Sequence, residues 1–106
     1  MNETLTYFPA GNLEDYYEQI GRVVEIEGQE IAVFRTSSGE MYALDNHSPH
    51  PKGGPLAEGI VSGHYLYDPL YDWKIDLKDG RVQAPDHGQV RTRSVLVKDG
   101  TVSIGI

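Results

Sequence analysis

The side chains that could do chemistry crowd the middle third of the chain. His47, His50 and His64 precede Asp68 within one Gly- and Pro-rich stretch, and imidazole with carboxylate is a donor set that suits zinc or iron. His47, His50, His64 and Asp68 are therefore a candidate mononuclear metal site. That reading would make the chain an independent metal-dependent protein, and stoichiometric metal in the purified protein would mark it. Cysteine is absent, which excludes disulfides, zinc ribbons, thiolate-held iron-sulfur clusters and a cysteine nucleophile together. No nucleophile with a partner base and no general acid-base pair stands out. Gly53-Gly54 lacks the helix that a phosphate-binding loop would need after it, and reads as a tight turn at positive φ. Trp73 heads an alternating run with Ile75 and Leu77 and reads as core.

The elements that must position these residues read as strands. Arg22–Ile26 and Glu30–Thr36 flank the turn Glu27-Gly28-Gln29, and a second turn at Ser37-Ser38-Gly39 leads into Glu40–Asp45, which together predicts a meander. Val90–Lys98 and Thr101–Ile106 flank Asp99-Gly100, a strong hairpin signal, and Val102, Ile104 and Ile106 alternate at period two. Gly59–Tyr67 predicts a hairpin turning near Ser62-Gly63. A strand carrying Trp73, Ile75 and Leu77 follows, ends at Asp79-Gly80, and is expected to form a small sheet with that hairpin. Leu13–Ile20 predicts a short helix ended by Gly21. The expected class is all-β, two to three small antiparallel sheets in a sandwich or partial barrel, as one domain. Its base comprises residues 1–46 and 89–106, and residues 47–88 form a loop-rich subdomain.

Charge and hydropathy narrow the partners. Sixteen acidic residues against nine basic ones give a formal charge of -7, with no positive footprint for nucleic acid. No apolar run is long enough to span a membrane, and Met1–Gly21 lacks the pattern of a signal peptide, so a cytoplasmic protein is expected. The scattered carboxylates read as a solvated face.

In order along the chain, "IEGQEIAVFRTSSGEMYALDNHSPH", "KGGPLAEGIVSG" and "DPLYDWKIDLKDGRVQAP" resemble the Rieske domains, and within them the small subunits of assimilatory NAD(P)H-dependent nitrite reductase. Pro69–Gly80 is the most specific part of the likeness. Rieske domains hold a two-iron cluster with Cys-x-His on one loop and Cys-x-x-His on another. Here the corresponding positions are Ser48-Pro49-His50 and Asp68-Pro69-Leu70-Tyr71, separated by seventeen residues. The spacing is kept while Ser48, Asp68 and Tyr71 replace three of the four ligands, leaving His50.

The resemblance implies a cluster-less Rieske fold with no cofactor of its own. Its partner would be a large subunit carrying flavin, an iron-sulfur cluster and sirohaem, which reduces nitrite to ammonium in nitrate assimilation. A role as redox carrier is excluded by the missing cysteines, so a structural or regulatory contribution is expected. Ser48, His50, Asp68 and Tyr71 each carry a polar group, and a hydrogen-bonded clasp across the two loops is expected, with Asp68 or Tyr71 bonded to His50. Tyr65, Tyr67 and Tyr71 with Pro49, Pro51 and Pro69 are the candidate partner surface.

Overall fold

The computed structural model describes residues 5–106; the start of the Met1–Gly21 segment and of the expected base, residues 1–4, lies outside them. The chain is all-β, with a nearly closed six-stranded antiparallel sheet and a separate three-stranded one. The strands are β1 (Tyr7–Asn12), β2 (Arg22–Ile26), β3 (Gln29–Arg35), β4 (Met41–Asp45), β5 (Ile60–Ser62), β6 (Tyr65–Tyr67), β7 (Lys74–Asp76), β8 (Thr92–Lys98) and β9 (Thr101–Gly105). The large sheet runs β1-β9-β8-β4-β3-β2 and the small one β5-β6-β7.

Tight turns set the registers. Glu27 and Gly28 have φ 52° and 76°, and Asp99 and Gly100 have φ 51° and 76°, positive at both central positions as a two-residue hairpin with right-twisted strands requires. They pair Ile26 with Gln29 and Lys98 with Thr101. The third hairpin turns at Gly63 (φ 60°) and His64, one residue beyond the expected place, and pairs Ser62 with Tyr65.

Two cores share β3 and β4, whose residues are buried on both faces. Ile31, Val33 and Ala43 point into the large sheet's own interior with Tyr16, Val102 and Ile104. Their alternates Ala32, Phe34 and Leu44 face the other way, against Leu56, Val61, Leu66, Ile75 and Leu77. A strand buried on both sides reads as a continuous apolar run, which is why Ile31–Phe34 shows no alternation.

Two expectations are corrected. Leu13–Ile20 is not a helix. Only Leu13–Asp15 makes a 3-10 turn, because Tyr16 turns into the core, where its hydroxyl donates to the Ala10 carbonyl. Glu18 then bridges Arg35 and Gln19 takes φ 65°. Strand β1 is an addition to the expected strands. Pro is tolerated there because β1 lies at the sheet's edge, and the register shifts between Pro9 and Asn12. Gly21 does not cap a helix; it lets two segments touch. A Cβ there would lie 2.1 Å from the Ala57 carbonyl oxygen and 2.5 Å from Phe34 Cε1.

Gly21→Ala is expected to destabilise the protein by about 2 kcal/mol or more, since a backbone atom cannot yield as a side chain can. Gly28→Ala, with nothing within 4 Å of its Cβ, should cost only the positive-φ penalty of about 1 kcal/mol; urea melts of the pair read the difference. Burial raises the Tyr16 phenol above its ordinary value, with Asp15 adding to the rise and Arg22 opposing it. The folded state thus holds the phenolic proton more tightly than the unfolded chain. Its contribution is complete below about pH 10 and is lost as pH climbs through the raised value. Stability measured from pH 8 upward should fall more steeply for the wild type than for Tyr16→Phe.

Candidate functional site

The two loops flanking the β5–β6 hairpin meet at a pair of buried polar side chains. Ser48 is 1% and Asp68 3% exposed. Burial is tolerated only if each polar atom finds a partner, and here each does. Ser48 Oγ donates to Asp68 Oδ2 at 2.5 Å and accepts from the His50 amide at 3.1 Å. Asp68 Oδ1 accepts from the amides of Leu70 (2.8 Å) and Tyr71 (3.1 Å). Main-chain bonds complete each loop: Ser48 N–H to the Gly54 carbonyl at 2.7 Å, Gly53 N–H to that of His50 at 2.8 Å, and Asp68 N–H to that of Trp73 at 2.9 Å.

Above the clasp, the rings of His50 and Tyr71 stack at 3.7 Å between centroids and 8° between planes, and Trp73 tilts against His50 at 4.8 Å. His50 Nδ1 accepts from the Lys52 amide at 3.0 Å, which leaves Nε2 as the proton-bearing nitrogen of a neutral ring. The cross-loop hydrogen bond thus joins Ser48 to Asp68. His50 bonds to neither Asp68 nor Tyr71 through its ring, because stacking face to face with Tyr71 turns the edges of both rings away from each other. Trp73 is half-buried against the core below and His50 above.

The four proposed metal donors do not converge. Among the described residues, no three His, Cys, Asp or Glu side chains are placed to share an ion. His47 lies over Gly53, and His64, in the hairpin turn, sits 3.8 Å from Asp76 and against the Tyr65 ring. Asp68 is taken up by Ser48 and two amides. Of the expected partner surface, Pro51 and Pro69 are exposed and Pro49 and Tyr71 half-buried at the loops. Tyr65 and Tyr67 stand on β6, with Lys74 Nζ 4.2 Å above the Tyr65 ring.

One residue that sequence reasoning passed over anchors the first loop. Asn46 Oδ1 accepts from the amides of Leu56 (2.8 Å) and Ala57 (2.9 Å), and its Nδ2 donates to Glu30 Oε1 at 3.1 Å. The partner amides lie ten and eleven residues further along the chain, beyond the few-residue reach of the local Asn motifs that a sequence signals. Leu70, 61% exposed, lies over Gly54, where a Cβ would come within 2.7 Å of its Cδ1.

Compared with known proteins, residues 6–105 match the family described as Rieske-like [2Fe-2S] domain. A crystal structure assigned as an NADH-dependent nitrite reductase small subunit from Mycobacterium tuberculosis superposes with TM-score 0.89 at 20% identity, over 98% of this chain and 97% of that one. A second, assigned as a nitrite reductase NADPH small subunit, gives TM-score 0.80 at 28% identity over 94% and 98%. The nitrite reductase (NAD(P)H) large subunit of Klebsiella oxytoca is 31% identical over 98 residues, which is 89% of this chain and 10% of that one. The chain spans only 20%, 24% and 22% of the first curated relatives it matches. The donors at the two loops do not fit a two-iron cluster. The chain has no thiolate to offer, the Ser48 and Asp68 oxygens are bonded to each other, and His50 Nδ1 is taken by an amide.

Asp68→Ala should cost on the order of 1 to 3 kcal/mol, because it strands the Ser48 hydroxyl and two loop amides. Asp68→Asn, which keeps an acceptor for the amides, should cost less. Thermal melts of the two variants rank them, and equal stability of Asp68→Ala and wild type would remove the clasp's structural role.

Proposed function

The chain belongs to the family of Rieske-like [2Fe-2S] domains, and we propose that within it this protein is the non-catalytic small subunit of a cytoplasmic NAD(P)H-dependent nitrite reductase. One observation carries the reading. A protein assigned as such a small subunit matches at 28% identity over 94% of this chain and 98% of its own length. The Klebsiella oxytoca large subunit adds support, because a stretch like this chain lies there within the reductase polypeptide itself. A domain found fused to a large subunit in one protein has a natural partner in such a subunit elsewhere.

The partner in this reading carries flavin and sirohaem and reduces nitrite to ammonium in nitrate assimilation. This chain contributes structure or regulation, since its loop donors suit hydrogen bonds and not cluster ligation. Ser48, His50, Asp68 and Tyr71 are the vestigial ligand positions of a cluster-binding subdomain at residues 47–88, set on a base formed by residues 1–46 and 89–106. Pro49, Pro51, Pro69 and Tyr71, with Tyr65 and Tyr67 on the neighbouring strand, form the surface offered to the large subunit. Exposed Leu70 extends it, and aromatic rings with few charged neighbours are what an interface core favours.

Co-expression with the large flavin/sirohaem subunit tests this. The two are expected to co-elute in size-exclusion chromatography, and the small subunit alone to be colourless and free of iron. Separate elution, with nitrite-dependent NAD(P)H oxidation unchanged by the small subunit, overturns the assignment. So does about one equivalent of iron or zinc per purified chain, which would restore the metal-protein reading.

A further inference from the structure

Two of the most exposed large aliphatic side chains, Ile60 at 71% and Ile20 at 60%, flank a single groove of about 600 Å³. It runs along the seam between the two sheets, with Gln19, Ile20 and Gly21 on one bank and Ala57, Glu58 and Ile60 on the other. It shares no residue with the Ser48–Asp68 pair or with the rings stacked above it. Isolated exposed apolar residues need no explanation, but here two of them converge on a concave surface.

The banks are held rigidly in place. Gly21 presses its main chain onto that of Ala57 so closely that a Cβ would stand 2.1 Å from the Ala57 oxygen. Gln19 spans the seam, its backbone N–H donating to the Arg35 carbonyl at 2.7 Å and its Nε2 to the Val61 carbonyl at 3.4 Å. It does so in the left-handed region, at φ 65°, a conformation with a steric cost for any residue but glycine. That turn leaves the next residue, Ile20, facing water, where it adds little to the core. A groove formed in advance lets a partner bind without first ordering it.

Charge names the occupant. Glu58 is the ionisable residue of the lining, no Lys, Arg or His lines the groove among the described residues, and exposed Glu18 precedes the bank at Gln19. The chain as a whole carries -7. A groove with exposed isoleucines on both banks and the Glu58 carboxylate in its lining complements an apolar side chain with a cationic neighbour. We propose that this groove docks a segment of the large subunit in which an aliphatic or aromatic side chain seats between Ile20 and Ile60 and an adjacent Lys or Arg meets Glu58. The proposal rests on the subunit assignment above and adds a second contact, separate from the clasp tip.

Titration of the full chain into purified large subunit tests it, with Ile20→Asp, Ile60→Asp and Glu58→Lys as variants. All three positions are exposed, so unchanged melting temperatures are expected and serve as the folding control. Each isoleucine variant should weaken binding by about tenfold or more, and Glu58→Lys should weaken it and flatten its dependence on salt. Should all three variants bind within about twofold of wild type, far short of the loss an interface anchor brings, the groove is not the dock and the subunit assignment stands. The groove proposal is equally overturned if Ile60→Asp abolishes only self-association of the chain in sedimentation. A wild-type chain that does not bind the large subunit overturns both readings.

Discussion

Everything at the loop-rich end of this molecule depends on keeping two polar side chains out of water. Ser48 and Asp68 lie twenty residues apart on loops with no strand pairing between them, and both are almost wholly buried. An unpaired hydroxyl or carboxyl group there would cost about 1 to 3 kcal/mol or more, so one side chain's burial requires the other's presence. Once the pair forms, the geometry above it follows. The Leu70 and Tyr71 amides turn in toward Asp68, the His50 amide turns in toward Ser48, and the Tyr71 ring comes to lie flat on the His50 ring. The stacked rings bury apolar area against each other, so they reinforce an arrangement that the hydrogen bonds have already selected.

Beneath the clasp the two sheets are joined by strands that serve two cores at once. β3 and β4 give Ile31, Val33 and Ala43 to one side and Ala32, Phe34 and Leu44 to the other. Phe34 also abuts Gly21, where the main chain of the large sheet's approach meets that of the Leu56–Ala57 segment. The small sheet's strands are three residues each, and its Val61, Leu66 and Ile75 are buried in one cluster with Ala32, Phe34 and Leu44 of the large sheet. The loops are therefore carried on a support whose position is set by the large sheet.

A fold shared with cluster-binding proteins does not decide what a given chain does; the donor atoms decide that. In this chain the loops of the family fold are present and the thiolates are not. Hydrogen bonds from a hydroxyl and a carboxyl group join the two loops, an arrangement that needs no ligand to hold its shape. That is a suitable character for a protein whose proposed work is to present a surface.

The sequence was most legible where structure is local. The Glu27-Gly28 and Asp99-Gly100 turns, the alternation of Val102 and Ile104, and the small sheet joining Gly59–Tyr67 to the strand around Ile75 all follow from neighbours within a few residues, because turn chemistry and strand period are short-range properties. The pairing of two polar loops was also legible in outline, from the resemblance in spacing. Tertiary structure alone decided the rest. It unwound Leu13–Ile20, since burying Tyr16 outweighed a short helix's marginal propensity, and it admitted β1 despite Pro9 because an edge strand leaves an N–H to spare. It chose Ser48 over His50 as the partner of Asp68, and it dispersed His47, His50 and His64. Those outcomes depend on which side chains reach one another across the fold, and residue types in order carry propensities but no distances.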